Sequence, residues 1–176
     1  MGANVNQQVT VTTANIIQGA GKITVDGVDI GSFQGGLSVN KSQSEKWVES
    51  EYALGVIDGE IDKVGVEVST ELEEATLENL AMAWGHNSSS VLSGTSSKTF
   101  DFIPAKTMIE HVLVFQGQSA TNKLKVRTFT ATRASVIGAS NVKLQRGTKT
   151  VVPVTFKLLL ATSGSYYTVT DSTITA

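Results

Sequence analysis

The chain of 176 residues has no cysteine, two prolines, two histidines and only 6% aromatic residues. Without cysteine there is no disulfide framework, no thiolate nucleophile and no Cys-based metal site. His86 and His111 stand apart, without the paired spacing of a histidine metal cage, so neither a metal nor another cofactor is expected. No apolar run approaches the roughly 18 residues of a membrane-spanning helix, so no membrane partner is expected. No Lys or Arg precedes Lys22 and no apolar stretch follows the start, so a signal peptide is not expected either. A net charge of −2 offers no overall basic excess for gripping nucleic acid. Most of the usual catalytic equipment is missing, and the expectation is a protein that is not an enzyme.

What is present describes one domain. Hydrophobic residues make up 40% and charged residues 17%, which suits a globular core and excludes a disordered tail, a coiled coil or a collagen-like rod. The charge is unevenly spread. Residues 1–70 carry a net −5, residues 71–120 a net −4, and residues 121–176 a net +7. Halves of opposite sign either pair within one subunit or draw separate copies together.

Thr, Val, Ser and Gly in short alternating runs are the signature of an all-β chain. Lys22–Val25 is a first strand, closed by the Asp26-Gly27 turn signal. Ser32–Lys46 reads as a long strand with Gly35-Gly36 as a bulge. In Glu60–Thr70 the residues Val64, Val66, Val68 and Thr70 share a core-facing side with Asp62, while Ile61, Lys63, Gly65, Glu67 and Ser69 form a mostly polar one. Further strands are expected at Phe100–Ile103, Glu110–Gln116, Lys123–Ala134, Asn141–Gln145, Lys149–Thr162 and Tyr166–Thr170. Pro153 suits the first residue of its strand or an edge position.

One segment breaks the two-residue period. Leu77, Leu80, Ala81 and Trp84 fall at i, i+3, i+4 and i+7, which predicts a helix over about 74–84. Thr70 with Glu73, or Thr76 alone, supplies a cap, and Gly85 stands where a helix terminator belongs. Residues 86–99, rich in Ser, Thr and Gly, read as a mobile surface loop. Residues 1–20, polar and uncharged, read as a flexible N-terminal arm that orders only against a neighbour, ahead of a domain spanning 21–176. The expected fold is all-β with one flanking α-helix, as a β-sandwich or partly closed barrel.

Catalytic motifs fail on inspection. Gly19-Ala20-Gly21-Lys22 lacks the upstream glycine and the Ser or Thr of a phosphate loop, and no helix follows it. No Gly-x-Ser-x-Gly elbow exists. His86 and His111 read as surface or interface histidines. Glu45, Glu49 and Glu51, with Asp58, Glu60 and Asp62, surround Trp47 and Tyr52. A glycosidase pair or a calcium loop would need tighter spacing, so a solvated or subunit-contacting hairpin is the simpler account. Within it, Gly55 and Gly59 supply bend points, and Trp47 is the expected anchor on an adjacent copy. Lys123, Lys125 and Arg127 share a strand face that Arg133 continues; with Phe129 as the one aromatic there, an acidic partner strand accounts for them better than nucleic acid.

Three stretches carry a resemblance. Ile17 to Gly31 (IQGAGKITVDGVDIG) runs on to Gly35-Gly36-Leu37-Ser38-Val39; Thr76 to Gly85 (TLENLAMAWG) lies on the helix; Arg127 to Ala134 (RTFTATRA) is followed by Lys149 to Lys157 (KTVVPVTFK). In this order they resemble the major tail tube proteins of long-tailed bacteriophages. The resemblance spans most of the chain, although each piece alone is an ordinary strand-turn or helix pattern. Many members of that family add an immunoglobulin-like domain, which is not expected here.

The resemblance implies a fold shared with contractile-tail and type VI secretion tubes. One sheet of each subunit joins its neighbours into a ring-wide inner barrel, and rings, usually hexameric, stack into a tube. It also implies the partners: other copies of the chain, a tape-measure protein, tail-terminator and tail-tip proteins, and double-stranded DNA passing without sequence-specific binding. The location implied is the virion tail, assembled in the bacterial cytoplasm. For the site it leads to the expectation that Glu45, Trp47, Glu49, Glu51, Tyr52, Lys125 and Arg127 lie at subunit interfaces. Glu67 is expected to face the lumen, where cations would hold back the DNA. A type VI-like effector-carrying ring and a monomeric carbohydrate-binding or hydrolytic β-sandwich are the alternatives.

Overall fold

The computed structural model describes residues 17–50, 55–104, 106–119, 125–138, 142 and 150–173. The described residues are predominantly β with a single α-helix, as the composition predicts. Its strands are β1 (Ile17–Val25), β2 (Val28–Asp29), β3 (Phe33–Ser50), β4 (Gly55–Leu72), β5 (Val91–Ser93), β6 (Lys98–Phe100), β7 (Glu110–Ser119), β8 (Lys125–Val136), β9 (Val152–Leu158) and β10 (Thr168–Thr173). The helix, α1 (Leu77–Ala83), lies between β4 and β5.

Eight strands form one sheet in the order β2-β1-β7-β8-β9-β4-β3, with β10 added beside β8, and each pairing is antiparallel. β5 and β6 make a separate two-stranded ribbon. Alternation sorts the main sheet into two faces. Ile23, Val25, Leu113, Phe129, Ala131, Val66, Val68, Leu72, Val152, Val154, Phe156 and Leu158 are buried on one of them, together with Met82 and Ala83 of α1. The opposite face is rich in Thr, Ser and Gln, with Glu67 and Lys157 side by side.

The sheet curls round this core. Phe33 of β3, one outer strand, meets Phe115 of β7 edge-on with ring centroids 5.9 Å apart. The curl stops short of closure, because the sheet is not closed into a barrel. Of the β-sandwich or partly closed barrel expected from sequence, the predominantly β chain with its helix is present, and the sheet is open rather than closed into a barrel.

Residues 17–20, assigned from sequence to a free arm, belong to β1 and pair with β7 of the same chain, Ile17 opposite Ser119 and Gln18 opposite Gln118. Backbone pairing needs no apolar side chains, so composition hid that extension. The rest of the expected arm, residues 1–16, lies outside the described residues, as do residues 51–54, Lys123 and, apart from Val142, the strand expected at Asn141–Gln145.

α1 is shorter than expected. Thr76 caps it, its side chain accepting from Asn79 N at 3.1 Å, so the helix starts at Leu77, and Gly85 follows it with a φ of 77°. Glu74, expected inside the helix, instead turns back to accept from Ser32 N (3.0 Å) and Ser32 Oγ (3.2 Å). The buried helix face is rotated from the expected one. It comprises Asn79, Ala81, Met82 and Ala83, while Trp84 becomes the C-cap and stacks on Phe100. Asn79 is buried without cost to hydrogen bonding, because its Nδ2 donates to Ile30 O (3.0 Å) and Glu74 O (2.8 Å). The expected loop over 86–99 contains a 3-10 turn (Ser88–Ser90), β5 and the start of β6, and the strand expected at Phe100–Ile103 ends at Phe100.

Candidate functional site

The most unusual feature is a fork in the sheet. β4 pairs with β9 from Val66 to Leu72, but between Gly55 and Gly65 its registered partner is β3 alone. On the other prong, β8 pairs with β9 at Ala134–Val136 and then with β10 at Lys125–Thr130. The prongs diverge where β9 ends. Tyr166 stands in the notch, its Oη donating to Val64 O at 2.8 Å. Beyond Val64 the outer half of the β3–β4 hairpin thus projects as a two-stranded ribbon with both faces and both backbone edges uncovered among the described residues.

Register assigns the ribbon's side chains. Glu45 lies opposite Ile61, Trp47 opposite Gly59, and Glu49 opposite Val56. Opposed residues share a face, and β3 alternates regularly here, because both irregularities place the extra residue on β4. Trp47, Ile61 and Val56 therefore form one apolar stripe flanked by Glu45 and Glu49. All three apolar side chains are more than half exposed, Trp47 at 60%. Gly59 makes this arrangement possible, since a Cβ there would run into the Trp47 ring. The indole covers the glycine and shields a strand that lacks a side chain. On the other face Lys46 Nζ pairs with Asp62 at 3.1 Å.

Of the residues expected at an interface, the structure gathers Glu45, Trp47 and Glu49 on this single face. Glu51 and Tyr52 lie outside the described residues. Lys125 and Arg127 are on β8, on the other prong of the fork.

The partner of Arg127 differs from the expected acidic strand of a neighbouring copy. It is Asp171, directly opposite on β10 of the same chain, held by Nε–Oδ1 and Nη2–Oδ2 contacts of 2.6 and 2.7 Å. The paired guanidinium holds the Asp171 carboxyl below its usual value, and Lys125 adds a smaller pull in the same direction. Arg133 likewise clasps Glu110 through two contacts, at 2.8 and 2.7 Å, and lowers its pKa. Lys157 approaches Glu67 of β4 at 4.0 Å. Two of these pairs, Arg133–Glu110 and Lys157–Glu67, join the basic final third to the acidic remainder within one subunit.

Alternation puts Glu67 and Arg127 on opposite faces of the sheet: Glu67 on the polar face, and Arg127 in line with Phe129 on the core side, beyond the end of the core. Neither histidine is at the surface. His86 is buried edge-on to Phe100 and Phe102, with centroids 5.2 Å away in each case. His111 is buried with its Nδ1 at 2.7 Å from Asp26 Oδ2. Nothing in the sequence signalled these burials, because His111 meets Asp26 across 85 residues. Among the described residues no group of three or more His, Cys, Asp or Glu could hold a metal ion, and no helix is long and apolar enough to cross a membrane.

Compared with known proteins, the chain matches no family model and no curated sequence.

Proposed function

We propose that this protein is the structural subunit of a self-assembling hollow tube of the phage tail-tube kind. Its rings, hexameric by the resemblance, stack around a tape-measure protein and later pass double-stranded DNA. Tail-terminator and tail-tip proteins cap the tube, and the virion tail is its destination. The observation that carries this reading is the forked, open sheet: a curled sheet with uncovered edges beside a projecting ribbon. Val- and Thr-rich edges left open invite added strands, and long ones are commonly covered by a partner. Copies arranged head to tail satisfy every edge at once when the rotation closes into a ring.

In this assembly the Trp47 face of the ribbon seats on the adjacent subunit, with Glu45 and Glu49 as its polar rim. The Thr- and Ser-rich face lines the bore. Glu67 lies there beside Lys157, so the two charges offset each other and the wall presents little for a phosphate backbone to hold. Arg127, on the other face and engaged with Asp171, stays out of the bore.

Negative-stain electron microscopy and sedimentation velocity of concentrated protein test the reading. Rings or tubes with a central channel are the expected result, and long tubes rather than isolated rings separate a tail tube from an effector-carrying ring. A monomer at every concentration and salt tried would overturn it.

A further inference from the structure

The prong formed by β8 and β10 carries an exposed face of its own. Register sets Phe129 opposite Val169, Arg127 opposite Asp171 and Lys125 opposite Thr173, so these side chains share one side of the two strands. Tyr167 joins them, its ring stacked on Phe129 with centroids 4.6 Å apart. Phe129 is buried, while Tyr167 and Val169 are 40% and 49% exposed. Lys125 and Arg127 lie further toward the tip of the prong, and Asp171 is the one carboxylate that β8 and β10 place on this side. Asp171 is bonded by Nε and Nη2 of Arg127, which leaves Nη1 as a donor for another carboxylate.

The Trp47 face of the β3–β4 ribbon is similar in layout and opposite in charge. Glu45, Trp47 and Glu49 recur at every second residue of β3, as Lys125, Arg127 and Phe129 do on β8, about 6.7 Å apart in each case. The Trp47 face holds two carboxylates and no Lys or Arg, a net −2; the β8–β10 face holds two cations and one carboxylate, a net +1. Glu45 accepts from the neutral Gln43 amide at 2.7 Å, and neither Glu45 nor Glu49 forms an ion pair among the described residues. Sheets with apolar faces pack face to face as the layers of a sandwich, and complementary charge selects which faces meet. Two Trp47 faces would set carboxylates against carboxylates. A Trp47 face on a β8–β10 face sets them against cations.

We propose that the Trp47 face of one copy docks on the β8–β10 face of a second copy, with Trp47 and Ile61 over Tyr167 and Val169 and the two glutamates beside Lys125 and Arg127. The inference rests on the tube reading and names the surface that receives the ribbon. Because the two faces differ, the contact is heterologous: each copy gives one face and receives the other, so contacts propagate from copy to copy.

The chain has no cysteine, so single-cysteine variants report the contact directly. Full-length Ile61→Cys and Val169→Cys proteins, mixed, allowed to assemble and treated with a short bismaleimide, are expected to give a dimer linked from residue 61 of one chain to residue 169 of the other. Neither variant alone should link to itself. Charge reversal supplies a second readout. Glu45→Lys combined with Glu49→Lys should raise the concentration needed for assembly by about tenfold or more, and adding Lys125→Glu to that chain should recover most of the loss. In molar salt the differences should shrink. Assembly without the 61–169 link, links between two residues 61, or charge reversal without effect would overturn this contact and leave the tube reading standing. Unaltered protein that stays monomeric at every concentration and salt would overturn both.

Discussion

One strand, β4, lives in two environments. Its inner half, from Val66 to Leu72, is flanked by β3 and β9 and buries Val66, Val68 and Leu72 in the core. Its outer half, from Gly55 to Gly65, keeps β3 as its one registered partner and leaves Val56 and Ile61 exposed. The same Val- and Ile-rich alternation serves folding in one half and has only β3 beside it among the described residues in the other. β-propensity therefore marks a pleated surface that some neighbour must cover, and does not say whether the neighbour is internal.

The contrast can be broken at several points. The largest effect is expected at Phe156, fully buried on β9 beside the inner half. Phe156→Ala should cost about 3–5 kcal/mol in chemical denaturation and prevent stable folding if the domain has only ordinary stability. A matched pair on β4 follows: Val68→Ala should cost about 2 kcal/mol, whereas Ile61→Ala should change the stability of the isolated subunit by less than about 0.5 kcal/mol. Equal losses at the two positions would mean that the outer ribbon is covered within the monomer.

Trp47→Ala sharpens the same division. It should leave a folded subunit, less stable by under about 1 kcal/mol because only the cross-strand contact over Gly59 is lost, yet one that no longer polymerises. Normal tubes from this variant would remove the ribbon from the interface. In hydrogen exchange, amides of residues 42–50 and 55–65 should open far more readily than those of Val66–Leu72 in the unassembled protein. Assembly should erase the difference.

The smallest effect concerns the other prong. The Asp171 and Glu110 carboxyls have lowered pKa values in the folded chain through their bonds to Arg127 and Arg133. Their stabilisation is thus fully present at neutral pH and is lost as pH falls below the ordinary carboxylate range into the folded-state values. All four groups are exposed, so the contribution is slight and screened by salt. Asp171→Asn should slightly reduce the acid sensitivity of unfolding at low ionic strength and have no measurable effect in molar salt.

Much of this architecture was legible in the residues. The period-two alternation of Glu60–Thr70 predicted the buried side of β4, Gly35-Gly36 fell at an irregularity in the β3–β4 register, and Thr76 with Gly85 bracketed the helix. Trp47 with Glu45 and Glu49 stood out because an aromatic among carboxylates has little reason to enter a core. What the sequence hid depends on long-range pairing. The β1 extension borrows hydrogen bonds from β7, Asp171 reaches Arg127 across 44 residues, and Asp26 turns a surface-looking His111 into a buried one. The rotation of α1 has the same origin, since Asn79 is drawn inward by a carbonyl 49 residues away.

The fork also has a mechanical consequence. A ribbon held at one end is a cantilever: about nine residues beyond its root extend about 30 Å, so a bend of about 10° at the root sweeps the tip through about 5 Å. The bend would concentrate near Val64 and Gly65, where Tyr166 ties the strand to the notch and β3 is the one registered neighbour, the pairing with β9 beginning only at Val66. In the proposed assembly, such a lever would let one subunit meet its neighbour over a wide arc while its own core stays still.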